Sequence, residues 1–199
     1  LHVNLDQEIT NRIRAGISLL GSYSKRRGET YNGMDAALKM LPIASPYDAS
    51  GSLITYPTGD NQQPNPLLDY VNDNRVEDRT RFRVFTSLYG EIDLADGLKY
   101  RLNVGPDIQQ SNYGLFMGKN NSTQLIAGGD AVAQKNSYTV TAYTVENLLT
   151  YNKVFRQKHN VGITALYSVQ RQREDSSNAS VRGIPAEAQQ WYNLDEAGN

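Results

Sequence analysis

The chain has 199 residues, with 20 Lys and Arg against 21 Asp and Glu, and a formal net charge of −1. It contains no cysteine, which excludes disulfides, thiolate metal sites and a cysteine nucleophile. The even charge balance lacks the basic surplus of nucleic-acid binders, and no apolar run approaches the ~20 residues of a membrane-spanning helix.

The predicted elements are strands. Leu1, Val3 and Leu5 alternate with His2, Asn4 and Asp6. After a turn at Ile9–Asn11, Ile13, Ala15, Ile17, Leu19, Gly21 and Tyr23 alternate with Arg12, Arg14, Gly16, Ser18, Ser22 and Ser24. A period of two means a strand with different surroundings on its two faces. Lys25 to Asp78 is a long connection with some order of its own. Met34 to Leu41 is predicted as a short helix stopped by Pro42, and Pro66 to Val71 as one helical turn. Pro46-Tyr47-Asp48 and Ser50-Gly51 carry turn chemistry.

The clearest hairpin runs from Arg79 to Gln110 and turns at Ala95-Asp96-Gly97. Its first arm places Phe82, Val84, Leu88 and Ile92 on one face and Arg79, Arg81, Arg83, Glu91 and Asp93 on the other. Its second arm places Leu98, Tyr100, Leu102, Val104 and Ile108 opposite Lys99, Arg101, Asn103, Asp107 and Gln109. Each arm runs about 15 residues, against a mode of ~5–6 in globular proteins. A loop is expected over Ser111–Ser137. A third hairpin covers Tyr138–Phe155 and His159–Arg173, with Val161, Ile163, Ala165, Tyr167 and Val169 sharing a face. Glu174 to Asn199 is a last connection, predicted helical over Ala186–Tyr192.

Short turns and long connections therefore alternate strictly. The expected fold class is all-β: an antiparallel meander of about six long strands. Strands of this length, tilted as in outer-membrane barrels, cover the ~25 Å apolar band, and short turns at one end with long loops at the other follow the same pattern. The opening residues carry no signal peptide and the close falls in a loop, so the chain reads as an internal segment of a larger protein. Ile13, Ile17, Leu19, Phe82, Val84, Leu88, Ile92, Leu102, Val104, Val161 and Ile163 are expected to face lipid. Arg79, Arg81, Arg83, Glu91, Asp93 and Arg101 are expected to face the lumen, the arginines neutralised by Glu91, Asp93 and neighbouring strands.

Three stretches carry a family resemblance. They are Leu5-Asp6-Gln7 through Gly21-Ser22-Tyr23-Ser24-Lys25-Arg26, then Asp96-Gly97-Leu98-Lys99-Tyr100-Arg101, then Glu146 to Lys153 followed by His159-Asn160-Val161. Ala37 to Gly51, with Pro42 and Pro46-Tyr47-Asp48, fits with them. In this order they resemble SusC/RagA-type TonB-linked outer-membrane transporters. The resemblance implies residues 1–199 as a piece of a 22-stranded barrel domain, without the plug and the barrel's C-terminal strand. It implies import of oligosaccharides or peptides with a SusD-like surface lipoprotein, energised by the TonB complex through the plug, in a bacterial outer membrane.

No enzyme is expected. No phosphate loop, nucleophile elbow or HExxH stands in the chain, and His2 and His159 sit far apart at strand ends. Neither a cofactor nor a metal is expected: the acidic run Asp69, Asp73, Glu77, Asp78 lacks the EF-hand spacing and its glycine. The loop aromatics Tyr31, Tyr47, Tyr56, Tyr70, Trp191 and Tyr192 are candidate contacts for substrate or partner. Two other readings stay open on the sequence: a soluble β-rich carbohydrate-binding module, and an outer-membrane barrel of porin or adhesin type that works without TonB.

Overall fold

The computed structural model describes residues 1–28 and 33–195. Six strands, β1 (His2–Thr10), β2 (Ile13–Arg27), β3 (Arg75–Ala95), β4 (Leu98–Met117), β5 (Val132–Phe155) and β6 (His159–Arg182), form one antiparallel sheet in sequential order. No second sheet packs on it among the described residues, which removes the sandwich that a soluble module would build. Between the strands lie α1 (Gly33–Leu38), a 3-10 turn at Pro66–Tyr70, α2 (Ser122–Ala127) and a 3-10 turn at Glu187–Gln189.

The strands exceed their predicted lengths. β3 has 21 residues, β4 has 20, and β5 and β6 have 24 each. The extra residues lie at the loop ends, Arg75–Asp78, Ser111–Met117, Val132–Ser137 and Glu174–Arg182. There both faces carry polar residues, so the alternation that marks a strand fades while the ladder continues. The connection predicted over Ser111–Ser137 shrinks accordingly to residues 118–131. Helix α2 within it was not expected, although Asn121 caps its start and Gly128 ends it at φ 114°. α1 stops at Leu38, short of the predicted Leu41, and the predicted helix at Ala186–Tyr192 is only the 3-10 turn.

The chain divides into two compact units. The first holds residues 1–24, 81–111 and 138–175, with the three short turns. Among the described residues it contains not one that is buried. Its register is nevertheless firm: Val3 pairs with Leu19, Leu5 with Ile17 and Asp6 with Gly16. The β3–β4 turn is two residues, Asp96 and Gly97, and Gly97 has φ +79°. A side chain at Gly97 would collide with the Asn152 carbonyl, whose own N–H donates to Gly97 O at 2.8 Å. The β5–β6 turn holds Arg156 and Gln157 at φ 51° and 57°, the paired positive values that match strand twist.

The second unit holds residues 25–80, 112–137 and 176–199 and contains the hydrophobic core. Phe116, Ala131, Ala133, Ile184 and Trp191 are buried together, with Val76, Val181 and Leu194 packed against them. Trp191 lies flat enough on Gly114 that any Cβ there would overlap the indole.

Candidate functional site

Two surfaces can carry function: the polar face of the first unit and the connections of the second. The polar face is assembled by strand parity. Odd residues of β3 meet even residues of β1 and β2, and odd residues of β4. Tyr89 crosses Gly16, where a side chain would occupy the space of its ring, and donates its hydroxyl to Asp6 Oδ1 at 2.6 Å. Arg101 stacks over Tyr89 at 4.2 Å from the ring centroid and donates Nε to Asn103 Oδ1 at 2.8 Å. Asn103 in turn donates to Glu146 Oε2 at 3.1 Å. Lys99 donates to Glu91 at 2.7 Å, with Arg101 also beside Glu91 at 3.6 Å and Asp93 3.8 Å from Lys99.

The predicted arginine row does not act as one cationic patch. Arg83 holds Asp107 in a two-pronged pair, Nε to Oδ1 at 3.0 Å and Nη2 to Oδ2 at 2.6 Å. Arg79 lies over the Tyr113 ring at 5.0 Å. The counterion of Arg83 is thus Asp107, whereas Glu91 and Asp93 serve Lys99 and Arg101. Sequence alone gave no sign of the Asp6–Tyr89 bond, whose partners are 83 residues apart. What the face offers is a wall of paired charges and hydroxyls, with no nucleophile–base set and no metal cluster among the described residues.

The opposite face carries the apolar row. Phe82 is 45% exposed and Ile163 61% exposed, and no element among the described residues covers them. All eleven residues expected to face lipid lie in the first unit, and none of them is buried. One polar pair interrupts this face, Tyr100 donating to Asn147 Oδ1 at 2.7 Å.

The connections are fixed by buried polar groups. Asp69, 2% exposed, accepts from Asn121 Nδ2 at 2.8 Å, Ser122 N at 2.7 Å and Ser122 Oγ at 2.8 Å. Its carboxylate thereby ties the Pro66–Tyr70 turn to the start of α2. Asp78 likewise meets Arg27 at 3.0 Å and Lys25 at 3.5 Å. Asn65 donates to the carbonyls of Pro46 and Ile54, each at 2.9 Å, and accepts from Leu67 N. Asn74 donates to Leu68 O at 2.9 Å. In the exposed turn beyond, Asp48 accepts from Ser50 Oγ at 2.6 Å and from the N–H of Ser52 at 2.9 Å; these bonds hold its carboxyl below the usual aspartate value.

The expected contact aromatics separate into two groups. Tyr47, Tyr70 and Tyr192 are exposed and Tyr56 is half-buried. Trp191 is only 6% exposed and belongs to the loop core, because Gly114 leaves a seat for its indole. Tyr31 lies outside the described residues.

No family model matches the chain. In sequence it is similar to the TonB-dependent receptor P3 of Formosa agariphila, 25% identical over 96% of the chain and 20% of the relative. It is also similar to TonB-dependent receptor P39 of the same organism, 28% identical over 85% of the chain and 16% of the relative. The chain thus spans about a fifth of the length of these curated relatives. In fold it is similar to the RagAB peptide transporter, with TM-score 0.77 and 18% identity over the whole chain and 22% of that protein's. The open state of the RagAB peptide importer gives TM-score 0.76. Both comparisons agree with the SusC/RagA resemblance read from the residues. The fold likeness agrees with an all-β antiparallel segment, and both named relatives are TonB-dependent receptors.

Proposed function

We propose that this chain forms part of the barrel wall of a TonB-dependent outer-membrane importer. The observation that carries the reading is the first unit: a two-faced sheet with a polar, charge-paired side, an apolar side, and no buried residue among those described. Covering a Val, Leu, Ile or Phe side chain is worth ~1.5–3 kcal/mol, so a row of eleven left in water is a large standing cost. Lipid removes that cost, and a closed barrel is the form in which strands can meet lipid with every backbone group paired. In this reading Ile13, Ile17, Leu19, Phe82, Val84, Leu88, Ile92, Leu102, Val104, Val161 and Ile163 face lipid. Arg79, Arg81, Arg83, Glu91, Asp93 and Arg101 line the lumen of a 22-stranded barrel.

The cargo would be an oligosaccharide or a peptide, delivered with a SusD-like surface lipoprotein and moved at the expense of the TonB complex. The sequence likeness to receptors named for TonB supports the energy source, and the fold likeness to RagAB supports the two-component arrangement. The reading is tested on the full-length protein in its own cell. It should fractionate with the outer membrane, and uptake of its cargo should stop when TonB or the neighbouring lipoprotein is removed. Recovery from the soluble periplasm, or uptake indifferent to TonB, overturns it.

A further inference from the structure

We propose that the junction of the first two long connections is a binding cleft for a neutral saccharide. The cleft lies wholly within the second unit and measures about 550 Å³, inside the ~300–1,000 Å³ range of small-ligand sites. Leu53, Leu68 and Leu125 supply apolar wall, and Thr55, Asn72 and Asn120 supply polar rim. No charged side chain lines it.

Three features make this a built site. The first is rigidity. Asp69 ties the Pro66–Tyr70 turn to the start of α2 through three hydrogen bonds, and Asn65 and Asn74 tie the same turn to its own connection. These three groups, with Asn121, are all buried, so the walls are set before a ligand arrives. The second is presentation. Asn72 stands in a tight turn with Asp73, both at φ 52°, closed by Asn74 N–H to Val71 O at 3.0 Å. Asparagine and aspartate tolerate that left-handed backbone, so the turn holds Asn72 at the rim. The third is spare hydrogen-bonding capacity. Among the described residues the side chains of Thr55, Asn72 and Asn120 make no hydrogen bond to protein.

That capacity selects the ligand. Each amide offers two donors and an acceptor, and the hydroxyl offers both roles. A sugar hydroxyl is likewise donor and acceptor, and the apolar wall matches the C–H face of a pyranose. A charged ligand would find no countercharge and would lose its hydration without return. The proposal rests on the importer reading only in that the cleft then opens toward the cell's surroundings.

The test uses the purified full-length protein in detergent micelles, probed against an array of neutral oligosaccharides, acidic oligosaccharides and short peptides. Neutral oligosaccharides should be retained, and the double variant Asn72→Ala/Asn120→Ala should weaken retention about tenfold, as expected for two lost hydrogen bonds. A second variant, Leu125→Arg, should abolish neutral binding by filling the apolar wall. Circular dichroism checks that both variants fold. Retention of peptides or acidic glycans alone overturns the proposal, as does retention of nothing, or neutral binding that both variants keep. Retention is read without TonB, so its failure is distinct from failure of the importer reading, which TonB-dependent uptake decides.

Discussion

At the scale of single residues, the polar face depends on one small side chain. Gly16 is read from the sequence as an ordinary position in an alternating strand. Its actual role is to leave room for Tyr89, whose hydroxyl then reaches Asp6. Nothing in the local pattern announces this, because the three residues come from three strands. Gly16→Val should displace the Tyr89 ring and break the Asp6 bond, at a cost of ~1–3 kcal/mol for forced overpacking. Tyr89→Phe should lose only the solvent-facing hydrogen bond to Asp6, a smaller effect. Unfolding of the full-length protein in urea should rank the two in that order; an equal or reversed ranking removes the packing account. A second residue-scale prediction concerns Asp48. Its carboxyl is held low by Ser50 and Ser52, so the charged form is the one the turn favours. A depressed folded value means the stabilisation is complete above the ordinary aspartate range, ~3.9, and is lost as pH falls through the folded value below it. Amide exchange at Ser50 and Ser52 should therefore be slow at pH 6 and quicken relative to neighbouring amides as the pH is lowered through the folded value of Asp48. Asp48→Asn should flatten that dependence.

At the scale of elements, strands and turns were legible where their two faces met different surroundings, and illegible where they did not. The Arg79–Gln110 hairpin and its Asp96-Gly97 turn could be read directly, because charge and apolarity alternate. The outer ends of β3 to β6 could not, because residues such as Glu174 and Ser176 on one face are matched by Asp175 and Ser177 on the other. The loop core was hidden for a different reason: its members come from β4, β5 and the segment after β6. Trp191 illustrates the consequence. As an isolated aromatic in a polar segment it suggests a contact residue, but Gly114 turns it into an anchor for that segment. Trp191→Ala should empty its seat at ~3–5 kcal/mol of local stability, and Gly114→Val should displace the indole to the same effect. Both variants should make the segment after β6 susceptible to protease added to intact cells, while Tyr192→Ala, an exposed neighbour, should not. The Asp69 hub predicts a parallel result. Asp69→Ala leaves Asn121 and Ser122 without their acceptor, at ~1–3 kcal/mol or more for buried groups, and should raise cleavage around α2.

At the scale of the whole molecule, a sheet without a core needs something other than packing in water to cover its apolar row. The first unit keeps its register through backbone ladders and paired charges, yet buries no residue among those described. In water such a sheet would have to close over its apolar row, and no second sheet among the described residues does so. Strands of 20 to 24 residues rise ~3.3 Å each, about 65–80 Å along the strand, which exceeds the ~25 Å apolar band even after a ~40° tilt. The second unit, taken by itself, has what the first lacks: a buried polar network and a small core. Under the proposed function the two units follow different rules of stability, lipid for the first and packing in water for the second. This can be tested directly because the chain has no native cysteine. In the full-length protein, freed of any cysteine elsewhere, single cysteines at 82, 84, 88 and 92 should be protected from a charged thiol reagent and labelled by a lipid-soluble one. Cysteines at 81, 83, 87 and 91 should show the reverse. The signal should alternate with a period of two along β3 and fade toward Arg75, where the strand leaves the band. Uniform labelling by the charged reagent along β3 would mean that both faces meet water, and the membrane assignment of the apolar row would fall with it.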